Sequence, residues 1–98
     1  MKRLPLTKVL PNSLDFLRGG GEMGGLMRAH DWESTPFGSP ATWPQSLRSA
    51  VSICLGSSFQ IAIYWGEELA LLYNDPWSEI LGQKHPWALG RPGREVWP

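Results

Sequence analysis

Surplus charge is what this chain lacks first. Nine Lys and Arg stand against nine Asp and Glu in 98 residues, so the formal net charge is zero. That balance removes the long-range positive field with which nucleic-acid and anionic-membrane binders draw in their targets, and no nucleic-acid partner is expected. Long hydrophobic runs are also missing. The longest, Ile61 to Trp65 and Leu69 to Tyr73, fall far short of the roughly 18 apolar residues of a membrane span, so no membrane span is expected. Met1-Lys2-Arg3 has the basic start of a signal peptide, but Pro5, Thr7, Lys8 and Pro11 break the apolar stretch that should follow. The single cysteine, Cys54, excludes an internal disulfide and points to a reduced, cytoplasmic setting.

Catalytic signals are equally sparse. His30 and His85 are the only histidines, and no C-x-x-C or H-x-x-x-H pair supplies metal-ligand spacing. No phosphate-binding loop, nucleophile elbow or kinase signature occurs, so the chain alone is expected to catalyse nothing. Gly19, Gly21 and Gly24 do satisfy G-x-G-x-x-G. The dinucleotide mechanism needs a strand before that motif and a helix after it. Ser13 to Arg18 is not strand-like, and Ser39, Pro40 and Ala41 stand where the later acidic residue belongs, so the glycines read as a hinge. Nothing in the chain names a cofactor.

What remains is apolar and aromatic. Hydrophobic residues make up 42% of the chain, too many for a disordered segment, and six are tryptophans. The length allows one small domain. Each tryptophan reads as a packing anchor. Residues 1–18 read as a poorly ordered arm, with one helical turn near Ser13 to Arg18 capped by Asn12 or Ser13. A helical lead-in over 19–56 follows. Met23, Leu26 and Met27 share one face of a short helix over Glu22 to His30, and residues 31 to 43 read as loop. Leu47, Ala50, Val51, Cys54 and Leu55 form one continuous helical stripe, with Thr42 as its cap, Pro44 near its first position and Gly56 as its stop.

After Ser58 the period changes to two. Phe59, Ile61, Ile63 and Trp65 alternate with Gln60, Ala62 and Tyr64, as a strand requires. Gly66-Glu67-Glu68 reads as a three-residue turn and Leu69 to Tyr73 as the second arm of an antiparallel hairpin. Asn74-Asp75-Pro76 pairs a capping side chain with a helix-starting proline; Trp77, Ile80 and Leu81 give that helix an apolar face, and Gly82 ends it. Further helical turns fit Pro86 to Leu89 and Gly93 to Trp97. A two-stranded hairpin with both apolar edges open is marginal in water, so it is expected to take further strands, from a partner or from a longer protein.

The hairpin ending in Tyr73-Asn74-Asp75, followed by Pro76-Trp77-Ser78-Glu79-Ile80-Leu81-Gly82, resembles the start of a PAS (Per-Arnt-Sim) domain. Gly20 to Gly24, Asp31-Trp32, Thr35-Pro36, Gly38 and Thr42 to Arg48 resemble the lead-in of bacterial PAS-containing sensor histidine kinases. Lys84 to Pro92 and Glu95 to Pro98 resemble the continuation. The likeness covers residues 19 to 98, with one departure: Gly93 stands where the pattern has a bulky apolar residue.

The resemblance implies an α+β fold: a five-stranded antiparallel sheet with helices on one face. Of it, residues 57–98 would be a truncated PAS domain holding the first two strands and the following short helices. It implies signal sensing and transmission within a two-component sensor kinase. The partners would be a small-molecule ligand of the intact domain and the remainder of the kinase, whose histidine kinase activity lies outside this chain. The residues then placed at the ligand pocket are Phe59, Ile61, Ile63, Trp65, Leu71, Tyr73 and Trp77; Asn74, Asp75 and Gly82 are structural. A reading of another class is a stand-alone interaction protein that pairs through its open hairpin edge.

Overall fold

The computed structural model describes residues 15–98. The expected arm over residues 1–18 is described only from Asp15 onward; the rest of it, with the cap at Asn12 or Ser13, lies outside the described residues. Asp15–Leu17 form a single 3-10 turn whose Leu17 is buried. Helix α1 (Gly21–Ala29) buries Met23 and Met27, the face its spacing predicts. Arg28 holds the preceding turn to α1, donating to the carbonyls of Leu17 at 2.7 Å and Gly19 at 3.0 Å.

The segment read as loop contains two further 3-10 turns, Trp32–Ser34 and Pro40–Thr42. It also carries an aromatic core. The Trp32 ring meets Phe37 at 5.3 Å and Trp43 at 5.1 Å, both edge-on, the geometry aromatic quadrupoles favour. Each buried indole N–H finds a carbonyl, Trp32 on Met27 at 2.7 Å and Trp43 on Gly38 at 2.9 Å.

Helix α2 (Gln45–Gly56) buries Leu47, Val51, Cys54 and Leu55, as the stripe predicts. Its start differs from expectation. Pro44 is the flanking residue and supplies no side-chain cap, while the Thr42 hydroxyl donates to the Ser39 carbonyl at 2.7 Å. Thr42 is drawn away because Ser39 and Thr42 close their own 3-10 turn. Gly56 is the last helical residue, and Ser57 takes the C-terminal position.

Strands β1 (Ala62–Trp65) and β2 (Ala70–Tyr73) pair antiparallel, Ala62 opposite Tyr73 and Trp65 opposite Ala70. The turn between them is four residues, Gly66 to Leu69, not three, and Leu69 takes a left-handed backbone (φ 53°). β1 also starts later than the alternation implies. The Phe59 carbonyl and the Ile61 N–H are bonded to the Asn74 side chain, and one backbone bond, from the Asn74 N–H to the Ile61 carbonyl at 3.2 Å, completes the hold on that stretch.

The expectation of two open hairpin edges is corrected on one side. Leu71 donates its N–H to the Arg91 carbonyl at 3.1 Å, and its own carbonyl accepts from Gly90 at 2.8 Å. Pro92 bridges Ala70. Residues 90–92 therefore cover the far edge of β2, which is buried along its length. Helix α3 (Asp75–Leu81) follows Asn74 at the end of β2, and the short helix α4 (Gly93–Val96) is the last element described. Gly93 fits where a larger residue was expected: a Cβ there would stand 3.1 Å from the Leu69 carbonyl oxygen. The whole is a mixed helix-and-strand fold around one core that joins Leu17, the aromatic cluster, α2 and β2.

Candidate functional site

The side chains with most of the polar structure meet where β2 runs into α3. Asn74 sits at this junction, 2% exposed, and uses its whole amide. Its Oδ1 accepts from the N–H of Trp77 at 3.2 Å, capping α3, and from that of Ile61 at 3.1 Å. Its Nδ2 donates to the carbonyls of Cys54 at 3.0 Å and Phe59 at 2.7 Å. One side chain thus ties α2, the entry to β1 and the start of α3 to the end of β2. A buried amide with both donors and both lone pairs engaged offsets its desolvation with hydrogen bonds and fixes the geometry around it.

Asp75 turns the other way. Its carboxylate accepts the backbone N–H groups of Glu22 at 3.0 Å and Met23 at 2.7 Å, the free donors at the start of α1. Two glycines of the sequence motif make room here, Gly21 for the carboxylate and Gly24 for the turn that precedes α1. A Cβ on Gly21 would fall 2.3 Å from Asp75 Oδ2, and one on Gly24 would fall 1.6 Å from the Gly19 carbonyl oxygen. The glycine-rich turn therefore receives a carboxylate from within the chain at the place where a dinucleotide motif would receive phosphate.

A second polar chain starts one residue earlier. The buried Tyr73 hydroxyl lies 2.9 Å from His85 Nδ1, and His85 Nε2 lies 3.4 Å from Glu22 Oε1. The carboxylate only accepts, so in the neutral form of the ring these two contacts fit the tautomer with its proton on Nε2, the Tyr73 hydroxyl donating to Nδ1. Burial, with the Glu22 charge adding to it, pushes the Tyr73 hydroxyl well above the ordinary tyrosine range, which keeps it a donor. Nothing in the sequence links Glu22 to His85; they lie 63 residues apart without a shared motif.

The seven residues assigned to a pocket are dispersed. Phe59 is 79% exposed, whereas Leu71 and Tyr73 are fully buried. Ile61, just before β1, and Ile63 and Trp65 on it are half-buried, with Ile63 and Trp65 packed on the core. Tyr73 and Trp77 are brought together, with ring centroids 5.6 Å apart. Gly82 ends α3 with positive φ, as the sequence predicts. A cavity of about 310 Å³ beside the junction is lined by Gly20, Gly21, Leu55, Ser57, Asn74, Asp75 and Pro76, not by the pocket residues.

The remaining reactive groups are held quiet. Cys54 lies in the core, where burial pushes its thiol from 9.0 up to about 11, and its Sγ lies 3.7 Å from the Ile61 carbonyl. His30 packs edge-on to Trp32; burial lowers its pKa, against Asp31 and with Arg91. Among the described residues no group of three His, Cys, Asp or Glu side chains is placed to hold a metal ion, and no helix is long and apolar enough to cross a membrane. No protein-family model, curated protein or solved structure matches the chain. Fold and site together define an α+β domain organised about a buried asparagine junction.

Proposed function

We propose that this chain is the front part of a PAS-type sensory module from a two-component sensor histidine kinase and that it carries no catalysis itself. The observation behind this reading is the Asn74 junction. It makes α2, β1, β2 and α3 one mechanical unit. A ligand seated between the sheet and the short helices would press on Leu71, Tyr73 and Trp77. Any displacement of α3 would act on α1 through Asp75. That is a packing change with two arrangements, which differential contacts with a ligand can bias. The coding sequence beyond the Pro98 codon is the direct test. Three further strand segments followed by a phosphoacceptor helix and an ATP-binding domain support the reading; an unrelated domain there overturns it.

A second reading rests on a different observation. The outer edge of β1 is unpaired among the described residues, which favours an interaction protein that works by strand addition. A stop codon directly after Pro98, with stable accumulation of the short protein, favours this reading over the first.

A further inference from the structure

β2 is paired on both sides, by β1 and by residues 90–92, so the sheet has one edge left. Ile61 accepts from Asn74 across the hairpin, and Ile63 lies opposite Leu72 in the same register. Backbone groups alternate along a strand, so Ala62 and Tyr64 aim their N–H and C=O groups outward. Among the described residues, no hydrogen bond from outside the hairpin reaches them. The usual protections of an edge are missing too: Ser57 to Trp65 contains no charged residue and no proline. Apolar surface lies alongside. Tyr64 is 42% exposed, Trp97 45% and Leu69 54%, and the Trp97 indole donates to the Tyr64 hydroxyl at 2.9 Å.

We propose that this edge binds a second copy of the same chain, the two β1 strands pairing antiparallel about a two-fold axis at Ile63. The inference rests on the strand-addition reading above and names its partner. Self-complementarity selects that partner. With the axis at Ile63, the two outward-facing residues of β1 pair with each other: Ala62 lies opposite Tyr64 of the second copy, and Tyr64 opposite its Ala62. Each such pair exchanges two N–H···O bonds. A small side chain then faces a large one. Ile63 faces Ile63, and Ile61 faces Trp65, with no like charges opposed anywhere along the contact. Moving the axis by one residue opposes Ala62 to Gly66, in the turn at φ 77°, or Tyr64 to Gln60, beyond the last hairpin pair, whereas Ile61 is still bonded to Asn74 across the hairpin. The contact is isologous and closes on itself, so it produces a dimer and not a fibre. It also covers the Tyr64 side of the exposed apolar patch.

The test uses the full chain in sedimentation equilibrium and oxidative cross-linking. The wild type is expected at twice the 11.0 kDa chain mass, falling toward one on dilution. Ala62→Pro removes an N–H that the hairpin does not use, so it is expected to give the single-chain mass at every concentration with an unchanged circular dichroism spectrum. Ile63→Cys is expected to form a disulfide-linked dimer under mild oxidation, because non-hydrogen-bonded antiparallel partners bring their Cβ atoms close. Gln60→Cys is expected to stay unlinked. Wild-type protein at the single-chain mass at the highest soluble concentration overturns the proposal. So does a dimer that Ala62→Pro leaves intact and Ile63→Cys fails to link. The strand-addition reading itself fails separately: it survives a monomeric chain if immobilised wild type retains a protein that Ala62→Pro does not, and it falls if neither retains one.

Discussion

The carboxylate of Asp75 caps helix α1 from 52 residues away, with Oδ1 accepting the Met23 N–H at 2.7 Å. One position earlier, the Asn74 side chain caps α3. Two adjacent residues at the end of β2 therefore start two different helices. α1 is short and carries two glycines inside it, so it has little intrinsic tendency to form. Its first turn is satisfied from outside, and its order depends on where α3 sits.

Removing the remote cap tests that dependence. Asp75→Ala is expected to cost about 1–2 kcal/mol, the range for a lost helix cap. Asp75→Asn keeps an acceptor oxygen and is expected to cost less. Gly21→Ala places a methyl against the same carboxylate at a backbone of φ 62° and is expected to be at least as damaging. In the double variant Gly21→Ala/Asp75→Ala the clash is gone, so the two losses should sum to less than their separate values. Urea unfolding of the four proteins measures this; strict additivity would show that the two residues do not interact.

Asn74→Ala is a larger change than removal of a helix cap. An ordinary cap contributes about 1 kcal/mol. Here alanine also strands the buried carbonyl of Cys54 and the partly buried carbonyl of Phe59 and N–H of Ile61. The expected cost is about 3 kcal/mol or more, since each orphaned buried group adds its own desolvation penalty. Asn74→Asp keeps the cap but turns a carboxylate toward two carbonyl oxygens, so it is expected to rescue little. A loss near 1 kcal/mol for Asn74→Ala, read from urea midpoints, would reduce Asn74 to a simple cap.

The same residue explains what the sequence shows and what it hides. The Asn74-Asp75-Pro76 start of α3 and the stripe of Leu47, Val51, Cys54 and Leu55 are legible because both are local patterns set by helix geometry. The start of β1 is not legible. Phe59 and Ile61 alternate like strand residues, but the Asn74 side chain takes their backbone groups from across the hairpin. The cover on the far edge of β2 is hidden for a similar reason. Gly90 and Pro92 read as breakers, and only the fold brings them to Leu71 and Ala70. Of the junction, Asn74 and Asp75 are visible as caps, while the reach of Asp75 to α1 and the Tyr73–His85–Glu22 chain are not. No periodicity records a contact between distant loops.

Alkaline pH is expected to loosen the fold. The folded state holds the Cys54 thiol near 11 against 9.0 unperturbed, and holds the Tyr73 hydroxyl above its ordinary 10.0. Both pKa values are raised by folding, so the stabilisation is complete below the unfolded values and is lost as pH climbs through the folded ones. In the window from 9.0 to about 11, the unfolded chain has released the Cys54 proton and the folded chain has not, so unfolding is pulled forward. Thermal midpoints should fall with rising pH across that window, and Cys54→Ala should flatten part of the fall. A thiol reagent at neutral pH should label Cys54 only as fast as the protein opens. Rapid stoichiometric labelling of the native chain would contradict its burial.

The turn joining the two strands holds a removable cost, and its neighbour holds a constraint. Leu69 is a branched side chain in the left-handed region at φ 53°, a conformation that costs a non-glycine residue about 1–2 kcal/mol. Its side chain is more exposed than buried, so little packing is lost with it. Leu69→Gly and Leu69→Asn are therefore expected to raise the thermal midpoint, by an amount near 1 kcal/mol at the transition. Gly93 packs against this same residue, with its N–H on the Glu68 carbonyl and the Leu69 oxygen 3.1 Å from where a Cβ would stand. Gly93→Val forces that carbonyl outward and is expected to destabilise by about 1–3 kcal/mol, the usual cost of overpacking. The bulky residue that the PAS resemblance implies at position 93 is thus incompatible with the turn as it stands. If Gly93→Val proves neutral in wild type, the turn can move away from α4, and the left-handed Leu69 is not enforced by its surroundings. If it is damaging in wild type but tolerated in a Leu69→Gly background, the two positions share one strained contact, and relief at either end relaxes the other.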